Sequence, residues 1–507
     1  MPTMPFQRTH LLWALGAMLT SVAATAPTHA THAGRGPREQ AAPPRATAGA
    51  AFLRDVAPVL LKRCNGCHGE RANLGGYRTH TFRDLIRPGA SGRTPLVPNH
   101  PEQSALLQRI ISNDPRLRMP QGDDPLPPQE VAVLRSWIRA GARFDGADSG
   151  IGYRDQMGPR RHPAPPAVYR APVPVLALAF APGGQELVTG GYHEVLVWNP
   201  ATGALRRRLP GLPQRIRSLA YSPDGASLLV AGGTPGEYGE VALTDPATGA
   251  GRRVLDTFGD LVLSASFSAD GRHVAAGGAD GSVRLYDVQT GRRRWQARVH
   301  ADWVTAVSFS ADGKFVASGS RDMAVKVYDA ADGSLFTTYS GHNRQIGEHA
   351  GQNPVYALRF VPVEGGGPAP PTACSAGGGR WVQMWDPANA RAENGDAGDM
   401  EERFARKGHA RYLAHGFAKE VFALAVRAGQ VFAAGADGVV RQFELASLRE
   451  VRAYPGSADW IFALDFDPAS ARMAAGSYTG EIRVWDTRTG QPVTVFRAQP
   501  GRENGPR

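Results

Sequence analysis

Between residues 173 and 495 a pattern recurs that few folds can accommodate. Each unit has an apolar strand, a turn such as SPDG at 222–225 or SADG at 310–313, a second strand, a Gly/Asp turn and a third strand. The third strand closes on Trp198-Asn199, Thr244-Asp245, Tyr286-Asp287, Tyr328-Asp329, Trp385-Asp386, Phe443-Glu444 or Trp485-Asp486, spaced by 46, 42, 42, 57, 58 and 42 residues. A period of this length, filled with short strands, predicts four-stranded blades, and seven of them close an all-β propeller. Closure is what makes the pattern viable, because each blade buries both faces against its neighbours and the lateral sheet edges disappear. The 60 Gly and 40 Pro of the chain match its demand for turns.

The segment before the repeats carries different chemistry. Two of the three cysteines form Cys64-Asn65-Gly66-Cys67-His68, the attachment pattern of a c-type haem. One helical turn sets both thiols where they can add to the two haem vinyl groups, and the adjacent imidazole reaches the iron. A disulfide or a Cys-Cys-His zinc site would use the same side chains, but no second Cys or His pair at zinc spacing lies nearby. Phe52, Val56, Val59 and Leu60 predict a helix running into the motif, Pro101 with Leu106, Leu107, Ile110 and Ile111 a second, and Pro128 with Val131, Leu134 and Ile138 a terminal one. A small all-α unit of about 95 residues suffices if the cofactor completes its core. For the sixth iron position the residues offer Met119, followed by Pro120 in a strap between helices; His80, His100 and an open site are the alternatives, with Met157 outside the helical unit.

Residues 51–146 resemble the planctomycete-type cytochrome c domain, a branch of the class I c-type cytochromes. CNGCHG at 64–69, NLGGYR at 73–78, LVPNHPEQSALLQRI at 96–110, RMP at 118–120 and LRSWIRAGARF at 134–144 carry the resemblance. It implies one covalently attached haem c, His68 and Met119 as axial ligands of the haem iron, and electron transfer to a redox partner protein. The repeats resemble WD repeats, and His300, Ser318, Asp322 and Tyr328 match that family's His, Ser, Asp and aromatic positions. Those four are architecture, with no catalytic residue among them, and Cys374 reads as a buried thiol on a strand.

The remaining segments complete the multidomain plan. Arg8, the apolar run Leu11 to Ala24 and small residues after it predict a secretory signal peptide over 1–30, hence export to the periplasm or beyond. The run is too short to span a bilayer, so no membrane span is expected after cleavage. Residues 31–50 are expected to be a flexible linker, 147–172 a Pro/Gly-rich linker that leaves the two modules mechanically separate, and 496–507 a disordered tail. The net charge of +11 comes from scattered Arg with no long like-charged block, which argues against a nucleic-acid partner. The two long spacings mark inserts at 342–353 and 390–419, the expected protein-docking loops. Of their histidines, His342 and His409 follow the glycine of a structural Gly-His pair, leaving His349 and His415 for a weak metal hypothesis. An electron carrier with a docking propeller is therefore the leading expectation, ahead of a redox enzyme or a haem-based sensor.

Overall fold

A computed structural model describes residues 50–69, 73–157, 160–342, 353–362, 372–388, 390, 411–415, 417–447 and 449–501. The signal and first linker expected at 1–50 lie outside them apart from Ala50, as do 343–352 and 391–410 of the two inserts. No helix among the described residues is long and apolar enough to cross a membrane.

The N-terminal helices are α1 (Ala57–Arg63), α2 (Asn65–His68), α3 (Phe82–Leu85), α4 (Ala105–Ile110), α5 (Pro128–Arg139) and α6 (Tyr153–Gln156). They share one core built around Phe52, whose ring lies 5.3 Å from Phe82, 5.2 Å from Trp137, 5.3 Å from Phe144 and 4.9 Å from Tyr153. Pro127 and Pro128 start α5 where a missing N–H costs nothing, and Leu134, Trp137 and Ile138 are its buried face. Trp137 can be buried because its indole N–H donates to the Arg143 carbonyl at 2.8 Å.

Seven four-stranded antiparallel sheets follow, each made of four consecutive strands, so the expected seven-bladed ring is present. Among the described residues no strand is exchanged between the first and last blades. The ring is closed instead by a shared core of Val175, Leu178 and Trp198 with Ile482, Val484 and Phe496, and by the Phe180 N–H donating to Asp465 Oδ2 at 2.8 Å. Inside blades the Ser-x-Asp-Gly turns work alike: Ser268 and Ser310 donate to Asp270 and Asp312 at 2.5 and 2.6 Å, and Gly271 and Gly313 adopt φ of +71° and +70°, which a side chain would strain.

Blade 4 holds the anticipated polar chain. His300 bridges Asp322 (Nδ1 to Oδ2, 2.8 Å) and Ser318 (Nε2 to Oγ, 2.7 Å), and Ser318 donates to the Tyr328 hydroxyl at 3.3 Å. In blade 5, His342 meets Ser375 at 2.8 Å and Trp385 donates to the same hydroxyl at 3.0 Å, but Gly379 stands where blade 4 has Asp322. The His342 Nδ1 is accordingly buried without a hydrogen-bond partner among the described residues, and burial lowers the imidazole pKa to about 4. His342 is thus a wall component; His349 and His409 lie outside the described residues, and only the backbone of His415 is described, in a strand.

Burial raises the Asp322 carboxyl, but the hydrogen bond and charge of His300 and the N–H groups of Ala301 and Ala324 outweigh it and hold the pKa at about 2, against 3.8 ordinarily. A depressed carboxylate pKa contributes stability that is complete above the ordinary value and disappears as pH falls through the folded value. The stability difference between the wild type and Asp322→Asn, followed by thermal melting, is expected to shrink as pH is taken from about 5 to about 2.

Two expected boundaries are corrected. Phe496 and Ala498 are buried between the last and first blades, so the ring extends into the segment expected as a tail from 496. The stretch 147–172 is not a free linker in its described parts. Tyr153 is fully buried in the helical core and its hydroxyl donates to the Thr81 carbonyl at 2.9 Å. Farther on, His162 contacts the buried Glu240 at 3.2 Å, and Arg208 clamps Glu194 while donating to the carbonyls of Pro166 and Ala167 at 2.6 and 2.8 Å. Tyr169 donates to the same Glu194 at 2.6 Å. Lys62 of α1 also pairs with Glu237 of blade 2 at 2.8 Å. The Pro-rich stretch is a strap laid on blades 1 and 2, held by buried carboxylates that need these partners to be tolerable.

Candidate haem site

Leu60 and the chain after it set the site. Helix α1 ends at Arg63, and the carbonyl of Cys64 accepts the N–H groups of Cys67 at 3.2 Å and His68 at 2.9 Å, so both thiols and the imidazole occupy one turn. Neither thiol is in a disulfide. Cys67 is exposed, whereas Cys64 packs against the helical core, and burial, with Cys67 adding to it, pushes the Cys64 pKa up to about 12. Gly69 is required after the histidine, because a Cβ there would lie 2.3 Å from the Asn65 carbonyl oxygen.

The imidazole of His68 is fixed from behind. Its Nδ1 lies 3.2 Å from the Tyr77 carbonyl, which selects the tautomer protonated at Nδ1 and leaves Nε2 as the basic nitrogen. The Tyr77 ring stands edge-on to the imidazole at 5.6 Å and its hydroxyl donates to the Leu85 carbonyl at 2.8 Å, tying the support to α3. Thr79 donates twice to the His68 carbonyl, from its N–H at 2.6 Å and its hydroxyl at 3.1 Å. Sequence reasoning missed Tyr77 and Thr79 as supports. The NLGGYR string flagged the neighbourhood, but a backbone carbonyl acting as acceptor leaves no residue-type signal.

Met119 follows α4, and its backbone N–H donates to the Arg109 carbonyl at 3.0 Å, which pins the strap. Its side chain is partly exposed. No hydrogen bond among the described residues joins Met119 to His68. Of the alternatives, His100 is exposed and His80 faces Asp84 at 3.6 Å.

The residues fit a haem on three counts. Two free thiols and an imidazole with a supported Nδ1 form the donor set. Leu74, Ile86, Ile111 and Leu117 are left 60%, 48%, 39% and 47% exposed, much unburied apolar side chain for a module this small. Arg118 Nε, next to Met119, is buried with no hydrogen-bond partner among the described residues, a cation available to a haem carboxylate. Among the described residues no three His, Cys, Asp or Glu side chains cluster as a separate metal centre.

Comparison with protein families gives two matches. Residues 64–123 match the family described as planctomycete cytochrome C, and residues 252–287, 293–329 and 448–486 match the WD domain, G-beta repeat. A search among curated proteins finds no match.

Proposed function

For a chain that joins a planctomycete-type cytochrome c module to a seven-bladed WD-repeat propeller, we propose that it carries single electrons outside the cytoplasm and uses the propeller to dock its redox partner. Cys64 and Cys67 would hold one haem c through thioether bonds, and His68 and Met119 would be the residues that ligate its iron. The bound haem would supply a one-electron ferric/ferrous couple. The observation that carries this reading is the pairing of two free thiols on one turn with a His68 whose Nδ1 is committed to the Tyr77 carbonyl.

The residues divide the work. Tyr77 holds the imidazole in one orientation and one tautomer, so little rearranges when the charge at the site changes. The aromatic cluster around Phe52 keeps water from the rear of α1. Arg118 stands ready to offset carboxylate charge. The apolar run at 11–24, behind Arg8, supports export, which is where c-type attachment belongs.

Met119 supplies the test. A neutral thioether favours ferrous iron more than an imidazole does. Met119→His is therefore expected to lower the midpoint potential by on the order of 0.1 V, within the roughly 0.8 V range that axial ligands span. The weak sulfur-to-iron band of the ferric spectrum should vanish with it. An anaerobic redox titration that finds the same potential and the same band assigns the sixth position elsewhere.

A further inference from the structure

In six of the seven blades the first strand carries a β-bulge at its start. The strand-pairing register skips one residue between Ile216 and Ser218, Val262 and Ser264, Val304 and Ala306, Val355 and Ala357, Val421 and Ala423, and Ile461 and Ala463. A bulge re-aims the extra side chain. The flanking residues show where it goes: Val421 packs into the core between blades 5 and 6, and Ala423 into the core between blades 6 and 7. In blade 2, Ile216 faces blade 1, and the Ser218 hydroxyl donates to the Ala265 carbonyl of blade 3 at 2.9 Å. With both neighbouring blades taken, the bulged residue is left to face the central channel.

The bulged residues of blades 5, 6 and 7 are Tyr356, Phe422 and Phe462, and they touch one another around the axis, at 5.3 Å between the first two and 4.8 Å, nearly parallel, between the second two. Trp460 extends the arc, 6.0 Å from Phe422, and Tyr478, 50% exposed, reaches Phe462 at 6.0 Å. In blade 2 the bulged residue is Arg217. A ring of seven places blade 2 opposite the junction of blades 5 and 6, so the bulge at Arg217 and those at Tyr356 and Phe422 lie on opposite sides of the ring. Its Nε is buried with no hydrogen-bond partner, and it makes no ion pair among the described residues. Toward the far end of the first strands matters differ: Arg427, the last residue of its strand and 55% exposed, has Asp465 at 3.6 Å, and the same carboxylate acts on Arg359. Burial and the neighbouring Arg215 lower the Arg217 pKa to about 10, with no carboxylate to oppose them. An unpaired cation in such a place is costly unless an anion joins it.

We propose that this channel mouth docks a partner-protein segment presenting a carboxylate beside an aromatic or large apolar side chain, the carboxylate pairing with Arg217 and the apolar group stacking on the arc of Tyr356, Phe422 and Phe462. The inference rests on reading the propeller as the docking module, and it names the chemistry of the docked segment. The mouth opens where first and third strands begin, since strand direction alternates within a blade. Glu194 and Tyr238, which hold the strap, also lie at third-strand starts, and Glu237, which pairs with Lys62 of α1, adjoins them. A segment docked in the mouth therefore sits on the same face as the haem module.

The test uses the full haem-loaded protein and two capped peptides, acetyl-Gly-Phe-Glu-Phe-Gly-amide and its Gln counterpart, titrated by calorimetry and by Trp460 fluorescence. The Glu peptide is expected to bind at least tenfold more tightly than the Gln peptide. Arg217→Met should abolish that preference, and Phe422→Ala should weaken both peptides alike, with haem content and midpoint potential unchanged in each. Equal binding of the two peptides to the wild type, which needs no variant to fold, overturns the proposal. So does an undiminished preference in Arg217→Met, or competition by phenylacetate at the peptide's own affinity, which would make the mouth a small-molecule site. Failure of the electron-carrying reading would appear separately, as absent covalent haem in a wild type that still discriminates the peptides.

Discussion

Replacing both Cys64 and Cys67 by alanine is expected to abolish covalently held haem, and Cys64→Ala alone to remove most of it. In the proposed attachment each thiol would form one thioether, and with both gone only ligation by His68 Nε2 and apolar contacts would be left, which acid-acetone extraction breaks. The fold should survive, because Cys67 is exposed and the helical core is anchored elsewhere, on Phe52, Trp137 and Tyr153. Haem remaining on the washed protein, measured by absorbance, should fall to background in the double variant, while far-ultraviolet circular dichroism of the propeller stays as in the wild type. Retention of haem by the double variant would contradict attachment at these residues.

The second large effect concerns stability. In blade 3 the Arg284 side chain, 5% exposed, donates to Asp256 at 2.9 Å, Asp280 at 3.0 Å and the Thr257 carbonyl at 3.0 Å, with its guanidinium carbon 3.7 Å over the Phe258 ring. Arg284→Met removes the cation and leaves two carboxylates at 13% exposure, of which Asp256 keeps, among the described residues, only Arg293 at 3.1 Å as an ion-pair partner. Breaking one side of a buried charge cluster costs about 3–5 kcal/mol, whereas replacing the whole cluster by neutral groups costs far less. Denaturant unfolding of Arg284→Met should show that loss, and adding Asp256→Asn and Asp280→Asn should recover much of it. A single variant as stable as the wild type would mean that water reaches the carboxylates freely.

The ring was legible in the sequence because its strongest signals are local. Even the degenerate closings Thr244-Asp245 and Phe443-Glu444 occupy the places of Tyr328-Asp329: Thr244 pairs with Leu228 and Phe443 with Val431, as Tyr328 does with Val316. The attachment motif was legible for the same reason, being five contiguous residues. The strap at 160–172 was not, because Pro-rich chain has no apolar period and its anchors, Glu194 and Glu240, sit inside strands whose other residues read as ordinary core. The bulges were not legible either. They are a property of pairing register, which depends on a partner strand as well as on the residues that bulge. Arg217 reads as one more scattered arginine until the register places it on the axis.

The strap also changes what the two modules can do. A free linker would let the haem module diffuse, whereas Arg208 on Glu194, His162 on Glu240 and Lys62 on Glu237 hold the described chain to blades 1 and 2. The surface pair at Lys62 contributes little by itself, but the buried carboxylates tie the strap down through groups that cannot be left unpaired.

The most direct test of the central claim is the intact mass of the exported protein after acid-acetone extraction. The expected mass is that of the processed polypeptide plus one haem. A mass equal to the bare polypeptide, with the haem recovered in the organic phase, would contradict it.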